Sequence, residues 1–259
     1  MSGVTRPFGL RDLGLVWGLR RQGLTLDLQR AVVGAPRPLE AALTGLLPAR
    51  QVETTRTYVC HGAEANGCGF VQVLTCPERR EWQVIHLAPW MGAQGIADEP
   101  GWACVLAEVC ARAGASGALR VRAGVTEGSC EEEAFRQAGF TAYAREDVFR
   151  LAPRRRVLRP ERVLRPVAPR DGWRLAQLVS QVVPPLVQHA EGLTVAGASL
   201  PIKFGASRER GYVLDRGAEL GAYVGLSRGG QGAWARILLH PEAREQASTV
   251  VRHMVTVAS

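Results

Sequence analysis

Trp82-Gln-Val-Ile-His-Leu-Ala-Pro89 and Trp234-Ala-Arg-Ile-Leu-Leu-His-Pro241 are the two stretches whose likeness decides how the chain is organised. Each opens on Trp, continues apolar and stops at Pro, which has no N–H to give to a strand ladder. Each is also the last of three strand-like runs. The first set is Thr54–His61, Cys68–Cys76 and Trp82–Pro89; the second is Gly211–Asp215, Ala218–Ser227 and Gly232–Pro241. Ala63–Gly67 and Pro77–Glu81 supply turn chemistry between the members of the first set. An antiparallel meander thus occurs twice in one chain, an internal repeat that implies two modules.

Working outward from the first meander, residues 10–47 place apolar side chains at helical spacing. Leu13, Val16 and Leu19, then Leu26, Leu28, Val32 and Val33, then Leu39, Leu43, Leu46 and Leu47 are expected to face a core, with Pro36 and Pro38 interrupting the run. After the meander come a loop from Trp90 to Ala97 and a helix over Trp102–Ala113 that Gly114 ends. A short buried strand follows at Ala118–Ala123. Ser129 is placed to cap a further helix that ends at Gly139, and Phe140–Leu151 reads as a closing strand or hairpin. In the second half, Val163–Val167 is strand-like, Asp171 is placed to cap a helix over Trp173–Val183, and a helical segment over Glu242–Val257 follows the second meander. The run from Pro153 to Pro166 is dense in Arg and Pro, which makes it an exposed crossing. The expected division is a first module over 1–152, a basic linker over 153–162 and a partial second module over 163–259.

A hydrophobic fraction of 46% and a charged fraction of 22% are ordinary for a globular protein with a sizeable core. No apolar run is long enough to span a bilayer, and Met1–Arg11 has no signal-peptide pattern, so no membrane association and a cytoplasmic location are expected. The six cysteines include no C-x-x-C pair. Cys60, Cys68 and Cys76 recur every eight residues near His61 and His86, but they fall at the ends of successive strands rather than converging as a tetrahedral site. No metal is expected, and the thiols read as reduced. The net charge of +8 suits an anionic partner. Nucleic acid is not expected, because no aromatic platform or recognition motif goes with the charge.

Three stretches carry a family resemblance: Asp171-Gly-Trp-Arg-Leu-Ala-Gln-Leu178, Glu133-Ala-Phe-Arg-Gln-Ala-Gly-Phe140 with Arg145-Glu-Asp-Val-Phe-Arg-Leu151, and the paired loops after Pro89 and Pro241. Helices, a meander, a phosphate-facing loop and then helix–strand–helix–strand resemble the GNAT acyltransferase superfamily. The resemblance covers nearly the whole chain. It implies an α+β fold: a mixed, mostly antiparallel sheet flanked by helices, as one full GNAT-like module plus a partial second. It also implies acetyl-CoA as acyl donor and a small molecule or other amine as acceptor.

In that family the fourth strand runs into an Arg/Gln-x-x-Gly-x-Gly/Ala loop. Backbone N–H groups there face the cofactor pyrophosphate, and small residues let the backbone approach. After Pro89, Gly92 stands at the Arg/Gln position, and Gly95 and Ala97 at the small ones. After Pro241, Arg244 keeps the basic position, while Ala247 and Thr249 take the small ones. The resemblance therefore implies cofactor contacts at Leu87, Gly92, Gly95, Ala97 and Arg244, with the amides of the fourth strand polarising the thioester carbonyl. The acid that protonates the departing thiolate is often a Tyr in Tyr-x-x-x-Gly-Phe. Here the position is Phe135, which has no proton to give, and no catalytic residue is assigned. His86 and His240, near the two strand ends, are candidate bases if they face a cleft. Glu127, Asp147 and Glu191 are isolated acids.

The expected function is acetyl-CoA-dependent transfer to an unidentified amine by direct attack. The alternative is a degenerate, non-catalytic GNAT-like module that binds a partner. The partial second sheet would leave an unpaired edge. A longer native chain, a second copy in a homodimer, or the first module would each cover it.

Overall fold

A computed structural model describes residues 4–35, 37–46, 53–61, 67–90, 101–151, 163–193 and 209–258. The fold is α+β, with mostly antiparallel sheets flanked by helices. The chain divides into two compact units: Met1–Ala31 with Pro36–Thr141, and Val32–Ala35 with Ala142–Ser259. Residues 142–151, which the sequence places at the end of the first module, fall in the second unit.

The first unit opens with β1 (Val4–Pro7), a 3-10 turn and α1 (Leu13–Leu19). Next come β2 (Leu24–Thr25), α2 (Leu28–Val33), which ends in the second unit, and α3 (Pro38–Thr44). The meander is β3 (Thr54–His61), β4 (Cys68–Cys76) and β5 (Glu81–Ala88). Then follow α4 (Trp102–Ala115), β6 (Arg120–Arg122) and α5 (Cys130–Gln137). The sheet runs β1-β3-β4-β5-β2, all antiparallel; β6 joins β5 in parallel on the side that β2 also uses.

Core formation follows the strand alternation. Val71, Val73 and Val84 face α4 and α5, where Val105, Leu106, Val109 and Phe135 meet them. Phe70, Val59 and Ala88 face the other way onto Phe8, Val16 and Ala42. Residues 10–47 are not helical throughout, and several expected core residues lie outside. Leu28, Val32, Leu43 and Leu46 are exposed, and Leu26 is buried as the continuation of β2 rather than on a helix. Helical spacing selects a face, but β2 shows that a sheet edge took part of the run.

Ser129 Oγ accepts the Glu132 N–H at the start of α5. Gly139, at φ +90°, ends that helix: the Phe140 N–H reaches the Phe135 carbonyl at 3.0 Å. No strand forms over residues 140–151, contrary to the sequence expectation. Alternating apolar residues give strand propensity but not a partner, and β6 is only three residues long. Phe149 is left 83% exposed.

The second unit repeats the plan with β7 (Arg165–Pro166), a 3-10 turn, α6 (Gly172–Val182) and α7 (Pro185–Ala190). Its meander is β8 (Arg210–Arg216), β9 (Glu219–Arg228) and β10 (Ala233–Leu239), followed by a 3-10 turn (Pro241–Gln246) and α8 (Ala247–Ala258). The strand order is β10-β9-β8-β7, antiparallel throughout. Leu175, Leu178 and Val179 of α6 pack on Val213 and Tyr223. Val250 and Met254 of α8 pack on the opposite face, against Ala222 and Val224. His253 Nδ1, buried on α8, accepts the N–H groups of Val163 and Leu164 at 3.0 and 2.9 Å.

Both units begin with the same clasp, which the sequence reading missed. Arg6-Pro7…Arg11-Asp12 recurs as Arg165-Pro166…Arg170-Asp171. Arg6 grips buried Asp12 through both terminal nitrogens, at 2.7 and 2.5 Å, and Asp12 also accepts the Gly9 N–H at 2.8 Å. Arg165 grips buried Asp171 at 2.7 and 2.8 Å, and Asp171 accepts the Ala168 N–H at 2.8 Å. Asp171 therefore does not cap α6 with its side chain, as the sequence suggested; it closes the strand-to-helix turn.

The Arg165 guanidinium, with help from the Ala168 N–H, lowers the Asp171 carboxyl to a pKa of about 2 from its ordinary 3.8, against the opposing effect of burial. A lowered folded pKa means that the stabilisation is present above about pH 4 and is lost as pH falls towards 2. Asp171→Asn should cost about 2–3 kcal/mol at pH 7. That is below the usual loss for a fully buried pair because Arg165 keeps 29% of its side chain exposed. Urea denaturation at pH 7 and pH 3 measures both the cost and its loss in acid.

Candidate functional site

The first unit's candidate site is the outer edge of β5. β6 pairs with β5 at Glu81↔Arg120, Trp82↔Val121 and Gln83↔Arg122 and goes no further. Glu81 is buried and forms an ion pair with Arg122, which holds the two parallel strands together at this end. Beyond Gln83 the same edge is taken by β2, with Leu24 opposite Leu87 and Thr25 opposite His86.

Leu87 is fully buried, its side chain in the core beside Val71 and Leu106. The Leu26 N–H donates to the Ile85 carbonyl at 2.9 Å, so Leu26 and Ile85 form a hydrogen-bonded antiparallel pair. Such pairs recur every second residue, which makes Leu24 and Leu87 the next one. The Leu87 N–H is therefore directed at the Leu24 carbonyl. Gly92, Gly95 and Ala97 lie outside the described residues.

His86 sits in a polar row that crosses four strands: Thr57, Gln72, His86 and Thr25 stand opposite one another in register. Gln72 Nε2 donates to Thr57 Oγ1 at 3.0 Å and to the Pro38 carbonyl at 2.8 Å. His86 Nδ1 lies 3.2 Å from Thr25 Oγ1, and its ring stacks on Phe70 at 5.6 Å. His86 Nε2 is buried with no hydrogen-bond partner. Burial lowers the His86 pKa to about 4, so the ring is neutral at pH 7. An acceptor amine would have to reach this nitrogen to use it as a base, and Gly23 stands over it: a Cβ on Gly23 would lie 2.2 Å from Nε2.

Phe135 is buried and meets Phe140 edge-on at 4.9 Å. The ring keeps a packing role. Cys60 and Cys76 are buried free thiols, raised by burial to about 12 and about 11. Cys68 Sγ lies 3.5 Å from His61 Nδ1. Among the described residues no three His, Cys, Asp or Glu side chains are grouped to hold a metal ion. No helix among them is long and apolar enough to cross a membrane.

In the second unit, Arg244 is exposed within the 3-10 turn after Pro241. His240 Nδ1 accepts the Glu242 N–H at 3.3 Å and so caps that turn. Ala247 and Thr249 both lie in α8, so the stretch aligned with a phosphate loop is helical. Glu191 accepts from Tyr143 Oη at 3.3 Å; Glu127 and Asp147 are exposed.

The second unit also holds a polar group that the sequence reading missed. Gly211, Gly225 and Arg236 stand opposite one another across β8, β9 and β10. Glu209 lies over Gly225, where a Cβ would come within 2.0 Å of its Oε1, and it accepts from the Tyr223 hydroxyl at 2.9 Å. Burial raises the Glu209 pKa; burial, then the Glu209 charge, raises that of Tyr223. Arg236 pairs with Glu146 at 3.2 Å. Glycines inside two paired strands were the signal: they mark a close approach over the sheet.

No family model and no curated protein matches the chain. Among solved structures, a tandem GNAT protein from the clavulanic acid biosynthesis pathway, solved without AcCoA, is similar over 99% of this chain and 84% of its own, at 13% identity and a TM-score of 0.39.

His86 generates a pH prediction. A lowered folded pKa on a base means that the unfolded chain binds the proton first. Stability should therefore fall as pH drops from about 6.5 to about 4, by at most about 3 kcal/mol. Denaturation of the wild type and His86→Leu across this window measures it; the variant should show a shallower slope.

Proposed function

We propose that the chain is a tandem GNAT-like protein that uses acetyl-CoA to acylate an amine. The observation that carries this reading is the element order. Helices, the β3–β5 meander, α4, the parallel strand β6 and α5 support the order that the sequence resemblance implied, short of its closing strand, and the second unit begins with helices and a meander again. In the proposed reaction the amine nitrogen bonds to the acyl carbon and gives up a proton, the C–S bond breaks, and the CoA sulfur leaves with the electron pair and takes up a proton. Positioning the two reactants in one complex supplies much of the rate, which suits a chain with no assigned catalytic residue.

The cofactor contacts proposed from the resemblance are Leu87, Gly92, Gly95, Ala97 and Arg244. Leu87 does not fit that role as folded, because its amide is directed at Leu24. Arg244 is exposed, as a contact to an anionic group requires.

A second reading is favoured by the same Leu87 observation and by buried Phe135: a GNAT-like module that binds a partner without turnover. Isothermal titration with acetyl-CoA should give saturable heat with a Kd below the millimolar range. Thiol release in the presence of a panel of amines should then exceed release without amine by at least tenfold. Binding without amine-dependent thiol release supports the second reading. Absence of heat at millimolar acetyl-CoA sinks acyl transfer.

A further inference from the structure

We infer that the outer edge of β5 is closed to an acyl thioester by the chain itself: residues 22–26 fill the gap between β5 and β6 and occupy the strand amides that a donor would use. The inference rests on the proposed function only for the identity of the excluded ligand.

The gap arises because β6 stays with β5 for three residues, Arg120–Arg122, while β5 runs on from Val84 to Ala88. The outer edge of Val84–Ala88 would otherwise present unpaired backbone groups, which bind any strand or ligand that offers partners. Residues 22–26 take those groups along their length. The Leu26 N–H donates to Ile85 at one end, and the Trp90 N–H donates to the Gln22 carbonyl at 2.6 Å at the other. Between them, Leu24 opposes Leu87.

The segment is bounded on its far side as well. The Leu26 carbonyl lies 3.1 Å from the point where a Cβ on Gly124 would stand, just beyond the end of β6. Leu24 and Leu26 belong to the same apolar core as Val121, Ala123 and Val125. Residues 24–26 thus have β5 on one side and the continuation of β6 on the other.

Two glycines make this fit possible. At Gly23 a Cβ would meet His86 Nε2 at 2.2 Å and the Ala88 side chain at 3.0 Å; at Gly124 it would press on Leu26. His86 has no room to retreat, since its ring is buried against Phe70. The filling is therefore built into both faces of the gap. It also removes His86 from the candidate bases, because the segment that seals the edge covers its free nitrogen.

Amide hydrogen exchange on the full chain tests this. Peptides covering 22–26 and 84–90 should exchange at least a hundredfold more slowly than exposed loops. Saturating acetyl-CoA should leave them unchanged. Loop-like exchange at 22–26 in the free chain overturns the seal. So does a ligand-induced change at 84–90. If acetyl-CoA gives no heat at all, the acyl-transfer reading fails by itself, while exchange of the free chain still decides whether the edge is sealed.

Discussion

A carboxylate taken out of water and gripped by a guanidinium six residues earlier is the constraint on which each unit is built. Asp171 is wholly buried and Asp12 nearly so. Isolated carboxylates in such positions would be strongly disfavoured, so each must be met by partners of fixed geometry. The Arg fork supplies two donors and the turn backbone supplies a third. The strands carrying the Arg residues, β1 and β7, have only four and two residues. Ladders that short hold weakly by themselves. The clasp ties each to the helix that follows, and that helix then covers one face of the meander. In the second unit Asp215 on β8 joins the network through Arg165 and Arg174, so the clasp also reaches the strand next to β7.

From this shared beginning the units diverge at the last strand of the meander. In the first, β5 is covered along its outer edge, and its polar row is satisfied except at one histidine nitrogen. In the second, polar groups gather over Gly211 and Gly225, and the β10 edge is left to the end of the sheet. The difference comes from a few small residues. Gly23 and Gly124 let a strand in over β5. Gly225 lets a carboxylate in over β9. A duplicated scaffold thus carries two unlike surfaces, as expected when fold and site are set by different residues.

The packing role of Phe135 and the capping role of His240 belong to the same picture. The sequence offers each position as a place to look for a proton carrier, and each residue is engaged locally, one with Phe140 and one with the Glu242 backbone. A proton carrier needs access to substrate as well as a suitable pKa. His86 has neither at neutral pH, since burial lowers its pKa to about 4 and Gly23 covers its free nitrogen.

The sequence by itself determined the two meanders, their Pro-terminated last strands, the helix from Trp102, which runs through Gly114 to Ala115 rather than stopping at Ala113, and the capped helix at Ser129. These are local matters: alternation, helical spacing, caps and breakers are written within about ten residues. It also contained the repeated Arg-Pro…Arg-Asp spacing, legible but unread, because the pairing of Arg6 with Asp12 gives no periodic signal. Only the tertiary structure decided that residues 24–25 leave a helical run to become a strand, and that residues 140–151 find no strand partner. It alone directed the Leu87 amide at Leu24, sixty-three positions earlier in the chain. Which backbone group meets which is fixed by competition for sheet edges between distant segments, and no local pattern records who wins that competition.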